Sequence, residues 1–76
     1  MIEKNSGVRK IDGTLWYMIG SSDLKTEIQK AFSKEGIKAR FVYNAKYDEY
    51  RIYVRAGDIE NADAILADKF AKTSWW

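Results

Sequence analysis

Between Lys38 and Arg55 the chain reads K-A-R-F-V-Y-N-A-K-Y-D-E-Y-R-I-Y-V-R, a segment with four tyrosines and five basic residues. Rings and cations at that density suit one kind of chemistry. Aromatic faces stack on bases, and guanidinium groups neutralise phosphates or stack in turn. The same residues also suit the wet side of an ordinary sheet, where Arg–Tyr and Arg–Trp neighbours stabilise the strands without any ligand.

The residues needed for catalysis are not assembled. The sequence has no histidine and no cysteine, which removes the commonest general base, the commonest metal ligand and any thiolate nucleophile. Ser21, Ser22, Ser33 and Ser74 have no base at a telling spacing. Asp48 and Glu49 share a turn with no partner acid in view. Asp58, Glu60 and Asp63 miss the calcium-loop spacing and its closing glutamate. Gly20-Ser21-Ser22 could hold a phosphate, but a serine helix cap explains it more simply. A binding protein without cofactor or metal is expected, and an enzyme is not.

At 76 residues the chain makes one domain, burying about 60% of the surface exposed on unfolding. Met1–Gly7 carry no apolar leader, and no run reaches membrane-spanning length; a cytoplasmic domain with no membrane partner is expected. The net charge is only +2, but it is unevenly placed. Residues 37–55 balance at +3 and residues 58–71 at −3, so the molecule should be electrically two-sided.

Several local signals fix the elements that position these residues. Asp12-Gly13 between β-prone runs predicts a two-residue hairpin that sets Ile11 opposite Thr14 and Arg9 opposite Trp16. Alternation then sends Val8, Leu15, Tyr17 and Ile19 to one face and Arg9, Ile11, Thr14, Trp16 and Met18 to the other. Leu24, Ile28, Ala31 and Phe32 recur at helical spacing, predicting a helix over 22–35 with a serine N-cap and Gly36 as its stop. The opening segment forms a second hairpin. A second helix follows from Asp58 as N-cap, with Ile59, Ala62, Ile65, Leu66 and Phe70 as its apolar stripe.

The order is therefore ββαββα, and the fold class is α+β. The economical assembly is a two-layer sandwich: a four-stranded, mainly antiparallel sheet with both helices packed on one face. The expected core is Val8, Leu15, Tyr17, Ile19, Leu24, Ile28, Phe32, Ile37, Phe41, Ile52, Val54, Ile59, Leu66 and Phe70.

The open face then carries Arg9, Trp16, Met18, Lys38, Arg40, Val42, Asn44, Arg51, Tyr53 and Arg55. On one reading it binds single-stranded nucleic acid, RNA foremost. Trp16 and Tyr53 stack bases, while Arg9, Lys38, Arg40, Arg51 and Arg55 hold phosphates. On the other, the domain is a small modulator or inhibitor of a larger machine, of the kind phage and mobile elements encode. Trp16, Met18, Val42 and Tyr53 then form a protein interface rimmed by arginine. Trp75 and Trp76 either fold back on the core or anchor a partner, a second copy in a homodimer included.

Overall fold

The computed structural model describes residues 8–70. Its elements are β1 (Val8–Ile11), β2 (Thr14–Ser22), α1 (Lys25–Lys34), β3 (Ala39–Asn44), β4 (Glu49–Val54) and α2 (Ile59–Phe70), with a 3₁₀ turn over Ala56–Asp58 leading into α2. The strands form one antiparallel sheet in the order β1-β2-β4-β3. Both helices pack on one face of it, as the two-layer α+β reading requires. β3 and β1 are the edges.

The first hairpin has the expected register, with Arg9 opposite Trp16 and Ile11 opposite Thr14. Asp12 and Gly13 both take positive φ, at 52° and 81°, the backbone a two-residue turn needs to match strand twist. The second hairpin closes through residues 45–48, an even-numbered loop that preserves the faces of β3 and β4. Asn44 accepts from the Lys46 N–H through Oδ1 and from the Tyr47 N–H through its carbonyl. Asp48 takes the left-handed conformation, φ 54°, which aspartate tolerates better than most residues. The Tyr43 hydroxyl donates to Asp48 Oδ1 at 2.6 Å, and that bond to a carboxylate is the main reason its pKa is raised.

α1 ends as its sequence requires. Gly36 N–H donates to the Ser33 carbonyl and Ile37 N–H to that of Phe32, while Ile37 and Phe32 join the same core cluster. This is a Schellman stop, with Gly36 at φ 73°. A Cβ at Gly36 meets nothing within 4 Å, so Gly36→Ala tests backbone strain alone. It should cost about 1–2 kcal/mol in a denaturant titration.

The helix-side core comprises Ile19, Ile28, Phe32, Ile37, Ile52, Val54, Ala62 and Leu66, with Ala39, Phe41, Ile59, Ile65 and Phe70 packed at its margin. Four expectations need correction. Leu15 is 46% exposed and Leu24 39%, so neither is core. α1 lies over β3 and α2 over β2, leaving the β1–β2 hairpin end, where Leu15 pairs with Lys10, beyond helical cover. Val8 and Tyr17 are accordingly only half-buried.

The starts of both helices also differ from expectation. β2 continues through Ser22, because Ser21 and Ser22 pair with Arg51 and Tyr50. Ser22 Oγ accepts from the Leu24 N–H, fixing the turn before α1 without acting as its N-cap, a position held by Leu24. Asp58 lies inside the 3₁₀ turn, its N–H donating to the Arg55 carbonyl, and so is not an extended N-cap for α2. Sheet pairing and the tight turn here override the capping preference of serine and aspartate.

Candidate functional site

The face of the sheet away from the helices carries a second, smaller core. Trp16, Met18 and Tyr53 are 8%, 8% and 0% exposed, and Ile11 and Val42 pack against them. Register explains the grouping: Met18, Tyr53 and Arg40 lie in one row across β2, β4 and β3, and Val42 pairs with Arg51 in the next. Strand parity thus places the predicted residues on the predicted face. The residues expected to stand outward as stacking platforms are instead buried.

Arginine side chains lie over two of these rings. The Arg9 guanidinium sits 5.5 Å from the centre of the Tyr53 ring, and its Nε donates to the Tyr53 hydroxyl at 3.2 Å. Arg40 and Arg55 lie over Trp16 at 5.3 and 5.9 Å. Each contact combines charge–quadrupole attraction with the packing of an aliphatic stem, on the order of 0.5–2 kcal/mol. Arg9, Arg40 and Arg55 are exposed all the same. Their cationic groups reach the outer surface, and the buried rings lie beneath.

Trp16 Nε1 is buried with no hydrogen-bond partner, an orphan donor in an otherwise closed layer. Arg51 is half-buried in its row beside Ser21 and Val42, and Lys38 is exposed just before β3. Among the described residues the one carboxylate that parity gives this face, Glu49, accepts from the Ser21 hydroxyl at 3.0 Å, at the far end of the sheet from Arg55. On the helix side of the molecule, α2 exposes Glu60 and Asp68. The charge segregation read from the sequence is therefore a segregation between faces.

Trp75 and Trp76 lie outside the described residues. Among the described residues no three carboxylates gather where they could hold a metal ion, and no helix is long and apolar enough to cross a membrane. The chain matches no family model, no curated protein and no solved structure. Fold and face together define an α+β domain with an arginine-tiled open sheet.

Sequence reasoning missed two features of the site. One is the burial of the aromatic layer; its signal was the placing of arginines beside the aromatics on the same face. The other is a β-bulge in β2 between Met18 and Gly20, where Ile19 has no partner on β4. A glycine inside a strand is the usual mark of such an irregularity. Ile19 keeps the helix-side position that alternation gives it; the bulge sets Gly20 opposite Ile52 on that same side and so brings Ser21 into the outer row of Arg51.

Proposed function

We propose that the domain is a non-enzymatic binding module whose arginine-tiled face takes single-stranded nucleic acid, RNA foremost. The observation that supports this reading is the state of Arg9, Arg40 and Arg55: exposed, lying over aromatic rings, and together on one face. Guanidiniums placed over rings lose less side-chain freedom on binding than free ones, and their remaining N–H groups can meet phosphate oxygens. Bases stack on guanidinium planes rather than on Trp16 and Tyr53 directly. The buried rings then act as positioning residues. The orphan Trp16 N–H gives an acceptor-rich ligand a further donor if Arg40 or Arg55 swings outward to meet a phosphate.

The test is a fluorescence titration with short RNA and DNA oligonucleotides at low salt. Binding that weakens steeply as salt rises is expected. Failure to bind any oligonucleotide at low salt would sink the proposal.

A further inference from the structure

We propose that the free edge of β3 is a second binding site, which takes an acidic, extended segment of a partner protein as a fifth strand. Among the described residues β3 is terminal in the sheet, and its outer edge has no partner strand. Backbone N–H and C=O groups on such an edge form a ready template for strand addition. Among the described residues the one feature of β3 that could blunt this edge is the charge of Arg40. The strand's six residues contain no proline and no lysine, and their register with β4 runs unbroken from Ala39 to Asn44.

Space is open along this edge on both sides of the sheet. A depression of about 730 Å³ wraps it, bounded on the helix side by Phe32, Ile37, Ala39 and Phe41 and on the outer side by Trp16, Arg40, Val42 and Arg55. An added strand sends alternate side chains to these two sides. One side offers apolar surface and the other offers guanidinium. Among the described residues, the charged ones lining the depression are Lys25, Lys38, Arg40 and Arg55, with no carboxylate.

The segment that fits therefore alternates apolar residues, turned under α1, with acidic residues turned to the arginines. A second copy of this chain fits less well. β3 carries Arg40 and no acidic residue, so a β3–β3 seam would double the positive charge and neutralise none of it. The site extends beyond the nucleic-acid reading and stands if that reading fails.

The experiment uses the full chain and a labelled eight-residue peptide of alternating Glu and Val, read by fluorescence anisotropy at low salt. Comparison peptides replace Glu by Lys, or carry N-methyl groups on all Val or on all Glu residues. Binding of the Glu/Val peptide is expected, with at least tenfold weaker binding of the Lys/Val peptide and of one of the two N-methylated frames. Arg40→Ala should weaken the Glu/Val peptide severalfold. Three results would overturn the site: no binding of the Glu/Val peptide, equal binding of Lys/Val, or indifference to both methylation frames. A dimer in sedimentation that the peptide cannot dissociate would give the edge to a second copy and overturn it too. N-methylation probes only the peptide site, so a chain that binds peptide but no oligonucleotide removes the earlier proposal and leaves this one.

Discussion

Tyr53→Ala is expected to remove most of the domain's stability, although Tyr53 sits on the sheet face opposite α1 and α2. The side chain is fully buried, wedged between Met18, Val42 and the Arg9 guanidinium. Truncating a buried aromatic costs about 3–5 kcal/mol. A chain of 76 residues has in all roughly 4–11 kcal/mol to lose. Tyr53→Phe keeps the packing and loses only the bond from Arg9 Nε, so about 0.5–1.5 kcal/mol is expected. Urea titrations of both variants check the contrast. Equal, small losses would show that the outer layer adds nothing to folding.

Phe32→Ala should match that loss on the opposite face. Phe32 is 1% exposed, lies in the helix-side core with Ile28, Ile52 and Leu66, and offers its carbonyl to Ile37 N–H at the α1 stop. The expected cost is again about 3–5 kcal/mol. Leu15→Ala is the internal control. With nearly half its surface in water, Leu15 has little burial to lose and should change stability by less than about 0.5 kcal/mol. A large effect at Leu15 would show that the hairpin end is covered in solution.

The strand faces were legible because side-chain alternation has period two and each hairpin loop holds an even number of residues. Asp12-Gly13 and Gly36 announced their backbone conformations through residue type. The depth of each residue was not legible in the same way. Leu15 and Ile19 share a predicted face, yet one lies beyond the helices and the other beneath them, a difference set by where α2 crosses the sheet. Trp16 and Tyr53 were placed on the correct face and given the wrong exposure. Alternation says where a side chain points and nothing about what lies on top of it. Arginine, counted as a surface residue, supplies that cover through its stem and its planar head. Ser22 and Asp58 show a third limit: local capping preference yields when strand pairing or a 3₁₀ turn claims the same backbone.

On the proposed function, Arg9, Arg40 and Arg55 form a pre-set cationic surface for single-stranded nucleic acid. That claim is tested most directly by measuring oligonucleotide affinity against salt for the parent chain and for Arg40→Ala and Arg55→Ala, with folding confirmed for each. Loss of one phosphate contact should flatten the log–log salt dependence by about 0.7 and weaken binding at low salt. Variants that fold, bind oligonucleotides as tightly as the parent and keep its salt slope would contradict the claim.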